Sequence, residues 1–248
     1  MLDGKRVLIT GGARGLGKEF AEAVAHAGAN VVIADILQEQ GSATALELAG
    51  HGLKVRFVAL DLADEKSIQN CVEESVRLLG GLDGLVNNGA IATGIGGKNF
   101  EEMDIETWDK VMTVNVRGTW LMTKAAARHL RVSRGRIINI ASDTALWGAP
   151  NLLPYVASKG AVISMTRSLA RELGDDGVTV NAIAPGLTLI PATEYVPADR
   201  HQMYVEGRAL SRAQYPKDIC GSVVFFLSDA SGFITGQLLP VNGGFVMH

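Results

Sequence analysis

A tyrosine and a lysine four residues apart form the pair in this sequence that is best suited to acid–base chemistry. Tyr155 and Lys159 stand in the segment PYVASKGAV, and Ser142 precedes Tyr155 by thirteen residues. If the segment is helical, the two side chains project from one face about a turn apart. An unperturbed tyrosine has a pKa near ~10, and a neighbouring ammonium favours the phenolate. We therefore expect Tyr155 to act as an acid or base and Lys159 to lower its pKa.

A glycine-rich turn after the first predicted strand is suited to binding a phosphate. The turn TGGARGLG begins at Thr10 and leads into the helical pattern KEFAEAVAHAG. Glycines there permit a tight turn and close approach of the backbone to a pyrophosphate, whose charge suits a helix N-terminus. A turn that needs positive φ would explain one glycine, whereas three at this spacing favour nucleotide binding. The residues predicted to contact the cofactor in this turn are Gly11, Arg14, Gly15, Leu16 and Gly17.

An aspartate at the end of the second predicted strand bears on which dinucleotide is bound. Asp35 follows the glycines by about twenty residues, where a carboxylate accepts both adenosine ribose hydroxyls and repels a 2′-phosphate. Ile36 follows it rather than a basic residue, although Arg14 could favour a phosphate. We predict NAD as the cofactor, with Asp35 and Ile36 in contact with it. The alternative is that Asp35 caps the helix that begins near Gln38.

Composition points to a small-molecule ligand. The chain has 248 residues and a net charge of −3, and its basic residues are spread along the sequence, so neither nucleic-acid nor membrane binding is indicated. No apolar run approaches the ~20 residues of a membrane helix, and the first residues pass into a strand without a secretory signal. We expect a cytoplasmic, unprocessed protein.

Cys71 and Cys220 are expected to be reduced, and the five histidines lack metal-ligand spacing, so no metal site is predicted.

Short apolar runs alternate with longer helical patterns along the chain. The predicted strands are RVLIT, VVIAD, VRFVAL, GLVNN, RIINIA, VTVNAIA and QLLPVN. The predicted helices cover 15–28, 38–50, 64–80, 104–131, 155–173 and 217–228. This alternation predicts an α/β fold, a doubly wound parallel sheet in one domain, and the apolar strands indicate that both sheet faces are covered.

One segment, 186–214, breaks this rhythm. It follows the sixth predicted strand and mixes aromatic residues, prolines and charges. Long loops in compact domains are usually functional or disordered. We predict a substrate lid at about 186–214, and the alternative is a surface excursion used only for packing.

Taken together, these motifs resemble the short-chain dehydrogenase/reductase family from end to end. The family's TGxxxGxG turn matches Thr10 to Gly17, its YxxSK motif matches Tyr155 to Lys159, and Pro185-Gly186 matches the turn after its sixth strand. Asn88, Asn115 and Ser142 occur in the family's order. The resemblance implies a single Rossmann-fold domain over 1–248, with a seven-stranded parallel sheet, and hydride transfer between nicotinamide and a carbonyl or alcohol carbon.

The resemblance also implies a role for each residue of the site. Tyr155 would be the proton acceptor in alcohol oxidation, and Ser142 would hydrogen-bond the substrate oxygen. Lys159 would bind the nicotinamide ribose and lower the Tyr155 pKa, and Asn115 would hold a water that links Lys159 to solvent. Further cofactor contacts implied by the family are Asp61, Leu62, Asn88, Pro185, Gly186 and Thr188.

Three of these further contacts have competing interpretations. Asp61 could cap a helix, and Asn88 could belong to a strand-end turn. The family's threonine often lies further along than Thr188, where this chain has Ile190. The chain also departs from the family after Asn88, where Gly89-Ala90 replaces the usual Ala-Gly and the backbone path beside the cofactor is expected to change.

The substrate end of the site is predicted to be apolar. The predicted substrate contacts are Ser142, Thr144, Trp147, Tyr155 and Leu187, and further candidate walls are Thr93 to Ile95, Leu152, Leu189, Tyr195 and Met203. Such groups suit a hydrophobic or cyclic secondary alcohol. The alternative for any of them is packing of the lid on the body. Arg200 and Arg208 leave an anionic substrate possible.

The first functional hypothesis is an NAD-dependent secondary alcohol dehydrogenase. The second is an NADPH-dependent 3-oxoacyl reductase, and a remote third is a non-catalytic nucleotide-binding regulatory protein. The helices at 104–131 and 155–173 and the end VNGGFVMH resemble the family's subunit interfaces, which implies a homotetramer.

Overall fold

Apolar, β-branched runs form seven parallel strands in the structure, a computed structural model that describes residues 1–247. The sheet order is β3-β2-β1-β4-β5-β6-β7. The strands are β1 (Arg6–Thr10), β2 (Asn30–Asp35), β3 (Val55–Ala59), β4 (Gly84–Asn87), β5 (Arg136–Ile140), β6 (Thr179–Pro185) and β7 (Leu238–Val241). The predicted seven-stranded, doubly wound sheet is confirmed.

Helices cover both faces of this sheet. They are α1 (Gly15–His26), α2 (Gln38–Gly50), α3 (Glu65–Leu79), α4 (Ile105–Met112), α5 (Thr119–Ser133), α6 (Thr144–Trp147), α7 (Leu153–Leu173), α8 (Ala198–Gly207) and α9 (Lys217–Leu227). Short 3-10 turns occur at Gly174–Asp176, Pro191–Thr193 and Asp229–Ser231. Within residues 1–247, no helix is long and apolar enough to cross a membrane.

Alternate residues of the interior strand β1 face two separate hydrophobic layers. Val7 and Ile9 pack with Phe20 of α1 and Phe226 of α9, whereas Leu8 packs on the other face with Met122 of α5. Successive side chains of a strand point to opposite faces, so a strand covered on both sides is apolar throughout. Burying each of these side chains contributes about 1.5–3 kcal/mol. This rigid core fixes the strand ends that carry the polar residues.

The helix predicted over 104–131 is interrupted. A π-helical turn over Thr113–Gly118 joins α4 to α5 and contains the buried Asn115. Such turns widen the helix by one residue and occur often at functional sites. The wider turn changes the backbone path at Asn115, which the sequence pattern did not indicate.

The segment predicted as a lid contains regular structure. It begins with a 3-10 turn and continues into α8, and an isolated bridge pairs Thr188 with Gln214 across its base. Pro197 immediately before α8 and Gly207 at its end were available signals for a helix, since proline favours helix starts and glycine favours helix ends. The mixed polar and aromatic composition concealed them.

Candidate active site

The carboxyl ends of the strands open into a cleft of about 690 Å³. The cleft lies where the strand order changes direction between β1 and β4, which is the usual ligand site of a doubly wound sheet. All residues predicted to contact the cofactor border it, namely Gly11, Arg14, Gly15, Leu16, Gly17, Asp35, Ile36, Asp61, Leu62, Asn88, Tyr155, Lys159, Pro185, Gly186 and Thr188. The fold therefore brings together residues that are up to 177 positions apart, from Gly11 to Thr188 (188 minus 11).

The glycine turn leaves its inner face free of side chains. Gly15 has a φ of +56°, in the left-handed region, and a Cβ on Gly17 would lie 2.0 Å from the Gly11 carbonyl oxygen. The Asn88 amide donates to the carbonyls of Thr10 at 2.9 Å and Gly11 at 3.1 Å, which holds the turn in place. The free N–H groups and positive end of α1 therefore face a space that suits a pyrophosphate.

The Gly89-Ala90 departure has a simple steric explanation. Neither residue has a positive φ, so the expected unusual backbone conformation does not occur. A Cβ on Gly89 would instead lie 2.9 Å from a methyl carbon of Leu62 and 3.1 Å from the Gly11 nitrogen. Glycine at position 89 permits this close approach to Leu62 and Gly11, and a larger residue would require both to shift.

Asp35 is fixed at the end of β2 by two backbone hydrogen bonds. Its Oδ2 accepts from the N–H of Ala13 and its Oδ1 from the N–H of Leu37, both at 3.1 Å. Leu37 is the N-cap residue of α2, and within residues 1–247 no side chain caps that helix, so the capping alternative for Asp35 does not apply. The two bonds orient the carboxylate where it borders the cleft. Arg14 is exposed and borders the same cleft.

Two other cofactor-side residues are held by local bonds. Asp61 accepts from the N–H of Ala63 at 2.8 Å, but the cap of α3 is Asp64, which accepts from Lys66. The buried Thr188 donates to the carbonyl of Gly186 at 3.0 Å. Because Asp64 caps α3, the capping alternative for Asp61 does not apply. Asp61 and Thr188 both border the cleft.

Tyr155 and Lys159 lie on one face of α7, as their spacing predicts. The Lys159 ammonium is buried, lies 5.5 Å from the centroid of the Tyr155 ring and donates to the carbonyl of Ile140 at 2.7 Å. Burial lowers the pKa of Lys159 to about 8. Burial also raises the pKa of Tyr155 to about 12, a hydrogen bond with Ser142 opposes that rise, and the nearby Asp143 adds to it. The direction is opposite to the one expected from the sequence, because burial dominates in the protein alone.

Ser142 is oriented by the residue two positions later. Its Oγ accepts from the Thr144 hydroxyl at 2.9 Å and from the Thr144 N–H at 3.3 Å. These contacts leave the hydroxyl proton of Ser142 available to donate toward the cleft. Thr144, predicted as a substrate contact, borders the cleft and directs Ser142.

Asn115 acts on the site through the backbone. Its amide donates to the carbonyl of Ile91 at 3.0 Å and to Ser158 Oγ at 3.1 Å, and its Oδ1 accepts from the N–H of Ile91 at 2.8 Å. Ser158 in turn donates to the carbonyl of Tyr155 at 2.7 Å. The side chain therefore ties the loop after β4 to the start of α7 and does not border the cleft. The expected role in holding a water stays a prediction.

Trp147, predicted as a substrate contact, does not border the cleft. Its indole packs edge-on against Tyr204 and Phe245. Leu187 does border the cleft, and Tyr195 closes one side by donating to the carbonyl of Ala92 at 2.8 Å. Of the other candidate walls, Thr93 and Leu152 border the cleft, whereas Gly94, Ile95, Leu189 and Met203 do not.

Two residues of this end were missed in the sequence. Asp143 and Tyr204 border the cleft and are joined by a hydrogen bond of 3.0 Å. The position of Asp143 directly after Ser142 was the available signal, since a carboxyl group there must lie near the strand end. Tyr204 carried no comparable signal because α8 was not predicted. Arg208, considered for an anionic substrate, is buried and donates to the carbonyls of Leu187 and Asn242.

The wall of the cleft fits a dinucleotide. The glycine turn offers a surface that a Cβ would fill, and Asp35, Ser142 and Lys159 border the same cleft. The volume lies within the range of about 300–1,000 Å³ typical of cofactor and ligand sites. The protein thus provides one anion site and one acid–base pair in the same cleft.

Comparisons with known proteins cover nearly the whole chain. A family model described as Enoyl-(Acyl carrier protein) reductase matches residues 11–246. The chain is 37% identical over 245 residues to the 3-oxoacyl-(acyl-carrier-protein) reductase FabG of Aquifex aeolicus, which covers 98% of both chains. It is 39% identical over 246 residues to a 3-alpha-(or 20-beta)-hydroxysteroid dehydrogenase of Mycobacterium bovis, over 99% of this chain and 90% of that relative.

A solved structure gives the same result. A short-chain type dehydrogenase/reductase from Mycobacterium ulcerans superposes with a TM-score of 0.93 and 29% identity, over 98% of this chain and 90% of the other. The family expected from the motifs is thereby confirmed. The chain belongs to the short-chain dehydrogenase/reductase family, and it is an oxidoreductase that acts on CH–OH groups with a nicotinamide cofactor.

Proposed function

We propose that this enzyme is an NAD-dependent dehydrogenase of a hydrophobic or cyclic secondary alcohol. The observation that carries the choice of NAD is the Asp35 carboxylate, which borders the cleft and is fixed by Ala13 and Leu37. A fixed carboxylate accepts bonds from ribose hydroxyls and repels a 2′-phosphate. The exposed Arg14 also borders the cleft, but neither of the bonds that orient Asp35 involves it.

The proposed mechanism assigns one task to each polar side chain. A bound nicotinamide supplies the hydride acceptor in oxidation and the hydride donor in reduction. Tyr155 takes the hydroxyl proton of the alcohol in the oxidative direction and returns it in the reductive direction. Ser142, oriented by Thr144, donates a hydrogen bond to the same substrate oxygen. Lys159, anchored on Ile140, binds the ribose and, as a cation, favours the phenolate.

The apolar substrate end supports the choice of alcohol. Leu152, Leu187 and Val196 line it together with the rings of Tyr195 and Tyr204. Apolar surface of a substrate that is buried against these residues contributes about 25 cal/mol per Å² to the free energy of binding. One relative is named as a 3-alpha-(or 20-beta)-hydroxysteroid dehydrogenase, and the secondary alcohol of a steroid agrees with this inference.

Cofactor titration with a substrate panel tests the proposal. We expect tighter binding of NAD than of NADP, measured by quenching of tryptophan fluorescence, and oxidation of cyclohexanol, 1-phenylethanol or a 3α-hydroxysteroid measured as formation of reduced nicotinamide. An Asp35→Ser variant should lose most of the preference for NAD, whereas Asp109→Ser, an exposed change on α4, should keep it. Preference of the wild type for NADP would overturn the interpretation of Asp35.

A second candidate is an NADPH-dependent 3-oxoacyl reductase. The 37% identity to FabG and the position of Arg14 beside the glycine turn support it. Reduction of acetoacetyl-CoA with NADPH, at a higher kcat/KM than any alcohol oxidation in the panel, would favour this candidate. Binding of NAD without turnover of either substrate class would favour the remote alternative, a non-catalytic nucleotide-binding regulatory protein.

We also propose a homotetramer and a cytoplasmic location. Large apolar side chains are exposed along the helices expected at the interfaces, among them Ile105, Trp120 and Val132 on α4 and α5 and Leu153 on α7. Association between subunits would remove these exposed groups from water. Light scattering at micromolar concentration should give four times the chain mass, and a monomer mass would overturn the proposal.

A further inference from the structure

A buried carboxyl group beside Ser142 has no task in the proposed reaction. Asp143 is 0% exposed, and its N–H donates to the carbonyl of Pro185 at 3.0 Å. Its Oδ1 accepts from the Tyr204 hydroxyl at 3.0 Å, and its Oδ2 has no hydrogen-bond partner within residues 1–247. Burying a carboxyl group with so few partners is unfavourable. Its single side-chain hydrogen bond therefore indicates a role other than stability.

Tyr204 belongs to a helix that is weakly attached to the rest of the protein. Tyr204 borders both the main cleft and a second cavity of about 330 Å³. Within the described part of the chain, the backbone of α8 runs closely alongside no other helix or strand. A helix with few such neighbours that borders two cavities belongs to the less stable part of a fold. A few side-chain contacts must therefore set its position.

Two kinds of contact hold α8. The Tyr204 ring stacks on Phe245 at 4.3 Å between centroids and meets Trp147 edge-on at 6.1 Å, and the Trp147 indole N–H donates to the Tyr204 hydroxyl at 3.1 Å. Arg208 fixes the end of the helix on backbone carbonyls. Aromatic faces tolerate sliding, whereas hydrogen bonds require a defined direction. The bond to Asp143 is thus the directional contact between the middle of α8 and the end of β5.

We propose that Asp143 is a positioning residue for the reaction, which holds α8 over the substrate end of the cleft by accepting a hydrogen bond from Tyr204. The same backbone that carries Asp143 carries Ser142, so the helix and the substrate-oxygen donor share one anchor. Loss of the bond lets α8 move away from the cleft and weakens substrate binding. The inference concerns how the proposed alcohol site is closed, so its kinetic test rests on the proposed function.

Amide hydrogen exchange of α8, followed by mass spectrometry, tests the anchor without any substrate. Asp143→Ala removes the acceptor alone, and Tyr204→Phe removes the donor together with the acceptor of the Trp147 bond but keeps the stacked ring. We expect both to increase exchange in peptides covering 198–207 by about fivefold or more. Asp143→Asn retains a carbonyl acceptor and should exchange as the wild type does. Tyr215→Phe, an exposed tyrosine outside α8, is the matched control.

Steady-state kinetics then separate positioning from a general structural role. With the best alcohol of the panel, Tyr204→Phe should raise KM by about 5- to 10-fold, with a smaller effect on kcat. Asp143→Asn should restore a KM within about twofold of the wild type. Wild-type exchange of α8 in Tyr204→Phe would overturn the proposal, as would an Asp143→Asn variant that behaves like Asp143→Ala. If Asp143→Ala does not fold, Tyr204→Phe and Asp143→Asn carry the comparison. Absence of alcohol turnover in the wild type would overturn the proposed function and leave the exchange result as the test of the anchor.

Discussion

The Lys159 ammonium lies 5.5 Å from the centroid of the Tyr155 ring and gives its hydrogen bond to the carbonyl of Ile140. The cation is therefore anchored on the end of β5 rather than on the phenol. Burial has the largest effect on both pKa values. It lowers the pKa of Lys159 to about 8 and raises that of Tyr155 to about 12. Lysine, rather than tyrosine, is the member of the pair that titrates near neutral pH in the protein alone.

The depressed pKa of Lys159 predicts a pH dependence of stability. Between about 8 and the ordinary value of 10.5, the unfolded chain holds a proton that the folded chain has lost. The free energy of unfolding should therefore rise with pH through this window, by at most about 3 kcal/mol. Urea denaturation of the wild type and Lys159→Met at pH 7.5 to 10 measures the effect. A difference between the two proteins that does not change with pH would contradict the prediction.

The raised pKa of Asp143 predicts that the free energy of unfolding changes with pH in the opposite direction at lower pH. Burial raises its pKa from 3.8 to about 7, so between these values the folded chain keeps a proton that the unfolded chain has lost. Stability should fall as pH rises from about 4 to about 7, and Asp143→Asn should gain on the wild type over this range, by up to about 4 kcal/mol.

The charged and titratable groups that face Asp143 are expected to stay constant in this window. Tyr204 and Tyr155 have raised pKa values and remain neutral, and Arg208 remains protonated. Urea denaturation at pH 4.5 and pH 8 provides the comparison. If the free energies of unfolding of Asp143→Asn and the wild type differ by the same amount at both pH values, the raised pKa of Asp143 is refuted.

Gly17→Ala should disrupt the cofactor site. The new Cβ would lie 2.0 Å from the carbonyl oxygen of Gly11, so the turn must shift. We expect destabilisation of about 1–3 kcal/mol and at least tenfold weaker NAD binding, measured by thermal unfolding and fluorescence titration. The control is Gly221→Ala on α9, where a Cβ meets nothing within 4 Å and should add stability of about 0.5–1 kcal/mol. Equal effects of the two substitutions would show that the close approach is unimportant.

The sequence was sufficient to predict the sheet and the cofactor end of the site. Local patterns determine both, because apolar runs such as RVLIT form buried strands and a glycine turn between strand and helix has one common use. The carboxyl ends of parallel strands meet at one edge, so Asp35, Asn88 and Ser142 could be placed together from the sequence pattern. The confirmed family resemblance follows from the same residues.

The substrate end could not be predicted in this way. Whether Trp147 faces the cleft depends on its contacts with Tyr204 and Phe245, which lie 57 and 98 positions away (204 and 245 minus 147). The Tyr155 pKa depends on burial, which a pair spacing does not report. The π-helical turn at Asn115 likewise has no periodic signal. Tertiary packing determines these features, and substrate specificity depends on them.

The rate of alcohol oxidation by Tyr155→Phe tests the central claim most directly. Removal of the phenol oxygen should lower kcat by about 10²–10⁴, since proton transfer by a positioned side chain contributes a factor of this size. The affinity for NAD should stay within about twofold, which corresponds to less than about 0.5 kcal/mol. Tyr215→Phe, with an exposed ring away from the cleft, should keep wild-type turnover. Formation of reduced nicotinamide by Tyr155→Phe at the wild-type rate, with NAD bound, would contradict the account.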